Sequence, residues 1–126
     1  MRGLLDTSVV ISAEEMDLPD EVAISAATLA ELHFGVHLAK DASSRARRLQ
    51  RLAEIESAFA TLPVDESVAR AYGELAARTV AAGRKVRTRV VDLLIAATAR
   101  VYAVPLYTLN RSDFEPFDDL VELRGP

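Results

Sequence analysis

The chain contains no cysteine. Disulfides, thiolate metal sites and cysteine nucleophiles are therefore excluded. It has two histidines, so acids would have to complete any catalytic zinc site. Its five glycines are scattered, which leaves no Gly-rich loop to cradle a phosphate. No apolar run approaches the roughly 18 residues of a membrane span. Asp6 interrupts the N-terminal apolar stretch where a signal peptide would be continuous. Internal repeats and low-complexity linkers are absent too. These absences predict a soluble, unprocessed, cytoplasmic chain without a membrane partner. A length of 126 residues fits one domain, read here as 1–126, and leaves no room for a second full core.

What remains is an ordinary globular composition, 50% hydrophobic and 27% charged. The net charge of −4 argues at first against a polyanionic partner, but its distribution says more than its sum. Arg45, Arg47, Arg48 and Arg51 form one basic cluster, and Arg84, Lys85, Arg87 and Arg89 form another. Acids collect at Glu14, Glu15, Asp17, Asp20 and Glu21, and again from Asp113 to Glu122. Basic patches on an acidic protein can hold nucleic acid. Solvated helix faces and loops are the simpler reading of either cluster taken alone.

Hydrophobic periodicity divides the chain into strands and helices. Residues 2–5 read as a strand, with Thr7 or Ser8 capping a short helix towards Glu15. "EVAIS" (21–25) reads as a second strand. A helix follows with Leu29, Leu32, Val36 and Ala39 near helical spacing and Ser25 or Thr28 as its cap. Residues 43–60 predict another helix, with Leu49, Leu52, Ile55 and Phe59 on one face, and "TLPV" (61–64) a strand or connector. Asp65 and Glu66 open an amphipathic helix carrying Val68, Tyr72, Leu75 and Thr79, which stops at Gly83. "VVDLLIAATARVYA" (90–103) is apolar nearly all round, so that helix should be central and buried. "VPLYTL" (104–109) and "LVELR" (120–124) predict two further strands, the last at an edge. Strands alternating with helices imply an α/β fold with a small, mostly parallel sheet.

The acids then raise a question, first in "LLDTSVVI" (4–11). Asp6 sits inside a run that otherwise reads as buried, and an unpaired buried charge costs several kcal/mol. A strand ending at Asp6 resolves this, because ligands of open α/β sheets bind outside the carboxyl ends of the strands. Three other acids fall in equivalent places. Glu31 lies early in the helix after the second strand, Asp92 opens the buried helix, and Asp113 follows the last long strand. Strand ends and the following helix starts share one rim in a parallel sheet. Carboxylates gathered there would repel unless a cation neutralised them, and oxygen-only ligation points to Mg2+ or Mn2+.

Each acid has a plainer reading. Asp6 and Asp92 suit helix caps, Glu31 suits a solvated surface, and Asp113 could complete a capping arrangement with Asn110. The four together are better explained by a metal site. His33 and His37, four apart on one helical face, are the rival ligands. "HFGVH" lacks the Glu that a metalloprotease helix places after its first His, so a surface or partly buried pair is preferred. An aspartyl-phosphate phosphatase wants Asp-x-Asp, and position 8 is Ser. A receiver domain wants an early acidic pair and a Lys after a late strand, and the only lysines are Lys40 and Lys85.

"LLDTSVVI", "SAATLAELHFGV", "RVVDLLIAATA" and "YTLNRSDFEPF" together resemble the four signature segments of PIN-domain ribonucleases, and more closely those of VapC toxins of bacterial toxin–antitoxin modules. The resemblance spans nearly the whole chain in order; the second segment, "T-x-x-E-L", is weak alone. It implies a PIN-like three-layer α/β/α fold. It places the acidic quartet on Asp6, Glu31, Asp92 and Asp113, a small polar residue on Thr7 or Ser8, and the fourth-segment Asn on Asn110. It also implies a homodimer and a cognate antitoxin (VapB-type) in a toxin–antitoxin hetero-oligomer, with the antitoxin's C-terminal segment covering the active site.

The activity so implied is hydrolysis of RNA phosphodiesters, with tRNA or rRNA as expected targets and arrest of translation and growth as the result. Asp6, Asp92 and Asp113 would hold one or two divalent ions that orient a water and stabilise the transition-state charge, with Glu31 completing the ligand set or orienting the water. Arg89 and Arg111, nearest in sequence to Asp92 and Asp113, are the candidate grips on the RNA backbone. A catalytically weak PIN-like module that binds RNA or a protein partner is the alternative; an unbroken quartet favours the enzyme.

Overall fold

The computed structural model describes residues 2–12 and 16–126. Four-residue β1 (Arg2–Leu5) leads into the short helix α1 (Thr7–Ile11). The chain continues as β2 (Glu21–Ser25), α2 (Ala26–His37), α3 (Ala42–Ala58), β3 (Ala60–Leu62) and α4 (Glu66–Ala81). It ends with α5 (Val90–Tyr102), β4 (Leu106–Tyr107), a 3-10 helix over Arg111–Phe117 and β5 (Leu123–Arg124). The predicted run of α1 towards Glu15 enters residues outside those described.

All pairings are parallel, in the order β3-β2-β1-β4-β5. From central β1 the chain builds outward through β2 and β3, then crosses back to place β4 on the other side. That reversal beside β1 is a topological switch point, where a crevice opens at the carboxyl ends of the strands. β5 is an edge strand, as predicted. The last two strands are shorter than their apolar runs: only Leu106 and Tyr107 of the 104–109 stretch, and Leu123 and Arg124 of 120–124, pair in the sheet.

Alternation along the strands sends side chains to two cores. Leu4, Ala23 and Leu106 face one side, where they meet Val68 and Leu75 of α4, Leu93 and Ile95 of α5, and Phe114 and Phe117. Leu5, Ile24 and Tyr107 face the other side, with Val10 and Ile55. Helices thus cover both faces of a parallel sheet, in three α/β/α layers. Helix α5 is central, as its all-round apolarity predicts. Leu93 and Ile95 are at most 2% exposed, and burying each stabilises by about 1.5–3 kcal/mol.

Local signals set the helix ends. Ser25 Oγ accepts from the Ala27 N–H at 3.0 Å, Asp41 from Ser44 at 2.7 Å and Asp65 from Val68 at 3.1 Å. Gly83 follows α4 with φ +78°, where a Cβ would be strained. Three expectations need correction. Asp6 itself, not Thr7 or Ser8, caps α1, because its carboxylate reaches the Val9 N–H. Asp92 is not a cap: α5 starts after Arg89, and Asp92 lies in its first turn. Leu49 is 52% exposed while Leu52 and Ile55 are buried, so the buried face of α3 is narrower than its spacing implies. Among the described residues no helix is long and apolar enough to cross a membrane.

Candidate active site

Asp6 follows β1 at the switch point and is 3% exposed. Its burial is compensated locally. Oδ1 accepts the Ser8 hydroxyl at 2.5 Å and the Val9 N–H at 3.2 Å. Ser8 Oγ accepts in turn from the Leu109 N–H at 3.1 Å, which ties the end of β1 to the segment after β4. Thr7, one residue earlier, serves a different acid: its hydroxyl donates to Glu31 Oε1 at 2.6 Å and lies 3.3 Å from Thr28 Oγ1. The polar pair after Asp6 therefore divides its work, Ser8 holding Asp6 and Thr7 holding Glu31. Thr28, fully buried beneath Thr7, entered the sequence reading only as an alternative helix cap, a place that Ser25 takes; its position one helical turn before Glu31 on α2 was the signal for this second role.

Asp113 sits in the first turn of the 3-10 helix, 3.4 Å from Arg89 Nη1. That guanidinium also lies 3.5 Å from the Asp113 carbonyl. Asp92, on the first turn of α5, is where the acids meet. Burial pushes its carboxyl up to about 6, and Asp113, Asp6 and Glu31 push it in the same direction against the opposing charge of Arg89. Three carboxylates thus act on the fourth, and Glu31 and Asp92 line one crevice.

The expected supporting residues are used unevenly. The Asn110 side chain makes no capping hydrogen bond; its backbone N–H goes to Thr108 Oγ1 at 2.9 Å, and its carbonyl accepts from Asp113 N–H at 3.0 Å. Arg111 donates to the Gly125 carbonyl at 3.3 Å. Arg89 is engaged by Asp113. His33 lies 3.5 Å from Glu56 on α3, and both histidines are exposed, in keeping with the preferred surface reading.

Among the described residues no three acids or histidines form a ready-made metal-binding group. The side chains are instead held by neighbours: Asp6 by Ser8, Glu31 by Thr7, Asp113 by Arg89. The donor set still suits a hard divalent cation. It is all oxygen, its acids stand near a switch point, and burial together with the charge of the other three acids raises Asp92.

The raised Asp92 has a consequence for stability. An acid titrating near 6 when folded and near 3.8 when unfolded binds its proton more tightly in the folded state. Its contribution is full below pH 3.8 and is lost as pH rises through 6. Discounted for its partial exposure, this amounts to about 1–2 kcal/mol. In chelator, the wild type should therefore gain stability between pH 7.5 and pH 5 relative to Asp92→Asn, by about 3–8 °C in melting temperature. Equal pH dependence of the two proteins would show that the carboxylates do not meet at Asp92.

Comparison with known proteins gives the family of this fold. The PIN domain family model matches residues 4–120. Ribonuclease VapC5 of Mycobacterium tuberculosis is 41% identical, the match covering 92% of this chain and 87% of that one. A ribonuclease VapC of Rickettsia bellii is 31% identical over 100% of this chain and 98% of its own. The crystal structure of VapBC-5, a toxin–antitoxin system of M. tuberculosis, superposes with a TM-score of 0.82 at 40% identity, covering 98% of this chain and 95% of that one. FitAcB from Neisseria gonorrhoeae superposes at 0.80 with 27% identity, covering 98% and 97%. The family model spans the strand ends that carry the acids, and the full-length matches leave no part of the fold unaccounted for, so this chain belongs to the PIN-domain family, among the VapC proteins.

Proposed function

We propose that this protein, taken as one PIN domain over residues 1–126, is the toxin of a type II toxin–antitoxin module: a Mg2+- or Mn2+-dependent endoribonuclease that arrests translation by cutting tRNA or rRNA. The observation that carries this reading is the raised Asp92 carboxyl, pushed up by burial and by three other acids at the switch point of a parallel sheet, where it lines one cavity with Glu31. Such a cluster is unfavourable in the bare protein and serves best as a cation site. Its companions are hydroxyl and guanidinium groups, with no cysteine or close histidine to suggest softer metals.

In this reading Asp6, Asp92 and Asp113 would hold the cation. When bound, the cation supplies charge that polarises the phosphodiester and acidifies a water. Glu31, exposed and oriented by Thr7, directs that water at phosphorus and takes up its proton. The water oxygen bonds to phosphorus as the bond to the leaving ribose oxygen breaks, and that oxygen takes its proton from solvent. Ser8 keeps Asp6 in one rotamer, and Arg89 keeps Asp113 facing the crevice. Neither the 2′-hydroxyl nor the His33 and His37 pair has a chemical part. Asn110, through its backbone, supports the turn that carries Asp113.

The relatives' toxin–antitoxin complexes support a VapB-type antitoxin as the cognate partner, with a homodimer inside the hetero-oligomer. Phe34 and Leu38, 64% and 61% exposed on the helix that carries Glu31, give an antitoxin segment apolar purchase beside the acids. An Arg or Lys on that segment would replace the cation's charge and silence the site. Such a chain acts in the cytoplasm, where its RNA is. The test is to map RNA 5′ ends after brief expression in a bacterial host, with Asp6→Asn as control. New ends at a defined site, absent with the variant, are expected; identical end profiles for both proteins would refute the ribonuclease assignment.

A further inference from the structure

The turn between α4 and α5 carries the second basic cluster, and its four cations are not equivalent. Arg84 donates to the Ser112 carbonyl at 2.7 Å and lies 3.6 Å from Glu115. Arg89 is engaged by Asp113. Between them, the Arg89 N–H closes a turn onto the Val86 carbonyl at 2.8 Å, and Val86 packs against the larger core. The turn is therefore fastened at its base, at its end and underneath. Arg87 and Thr88 occupy its exposed tip.

Arg87 has no hydrogen-bond or ion-pair partner among the described residues. Yet it lines one cavity with Glu31 and Asp92, together with Thr88, Val90 and Val91, in a space of about 180 Å3. At about 30 Å3 per liquid water, that space takes one phosphodiester group with a few waters. A guanidinium beside two carboxylates would ordinarily pair with one of them. Here the fastened turn holds it in the same cavity without pairing, so its charge stays available to a ligand.

We propose that this cavity is a phosphate subsite, in which Arg87 and the Thr88 hydroxyl grip an RNA phosphate next to the one being cut. The inference rests on the ribonuclease reading above and adds a residue to it. Arg87 is a positioning residue: its guanidinium matches the two free oxygens of a phosphodiester and fixes the strand's register against the acids. Arg89, closer in sequence to Asp92, serves the protein's own carboxylate instead.

The test compares wild type, Arg87→Ala and Arg87→Lys. Binding is read in chelator, by anisotropy of a labelled single-stranded oligoribonucleotide of mixed sequence over a range of salt. Cleavage of bulk bacterial RNA is read with Mn2+ added. Arg87→Ala should weaken binding and raise KM by about threefold to tenfold, the share of one exposed phosphate contact, with kcat nearly unchanged. The slope of log affinity against log salt should fall by about 0.7, and Arg87→Lys should restore it while recovering only part of the affinity. Because Arg87 is exposed and unpartnered, the melting temperature should not move. Equal affinity, KM and salt slope in Arg87→Ala, or a loss confined to kcat, would overturn the subsite and leave the ribonuclease standing. A wild type that binds RNA but never cuts it would remove the ribonuclease reading, and a reduced salt slope would still support the subsite. A wild type that does not bind RNA would overturn both.

Discussion

Asp92→Asn should lose RNA cleavage by about 100-fold to 1,000-fold, the effect of removing one group that meets transition-state charge, while the protein stays folded. The side chains are nearly isosteric, and neither caps α5, which starts after Arg89. The variant loses a favourable acid in the first turn of the helix, worth about 0.3–1 kcal/mol. It also loses the buried charge and the repulsion that together raise the Asp92 carboxyl to about 6. These changes oppose one another, so the metal-free variant should melt no lower than the wild type near neutral pH. Catalysis and stability therefore separate, which a structural carboxylate would not allow. Single-turnover rates on the mapped RNA, read beside melting curves in chelator, make the comparison. A variant that cleaves at the wild-type rate would return Asp92 to a structural role.

Chelation should have the larger effect. With EDTA, cleavage should fall by about 1,000-fold or more, since every step that depends on cation charge is lost together, and either Mg2+ or Mn2+ should restore it. The same addition should raise the melting temperature, because a cation that binds only the folded state stabilises it by about 2.7 kcal/mol at 100 times its dissociation constant. The stabilisation should shrink below pH 6, where the proton on Asp92 competes with the cation. Apparent affinity read from melting curves at pH 5, 6 and 7.5 checks this coupling. Undiminished cleavage in EDTA would sink the metal mechanism and bring His33 and His37 back as acid–base candidates.

The helices and the identity of the four acids were legible in the sequence because their signals are local. Asp65 caps α4 from three residues away, Gly83 ends it through its own backbone, and the apolar stretch 90–103 specifies a buried helix without reference to any partner. Asp6 stood out because a charge within an apolar run needs a local reason. The lengths of β4 and β5 were not legible, since a strand exists only where a neighbour pairs with it, and the apolar residues on either side of Leu106 and Tyr107 are half-buried without pairing in the sheet. The role of each arginine was hidden for the same reason. Sequence proximity favoured Arg89 and Arg111 for RNA, but the fold brings Asp113 to Arg89 and Gly125 to Arg111, and leaves Arg87 unpaired beside Glu31 and Asp92. The sequence by itself determined which residue types stand at the ends of which elements. Only the tertiary structure decided which of them are neighbours: the strand order puts β1 between β2 and β4, and carboxylates far apart along the chain act on one another only when the sheet brings their strand ends together.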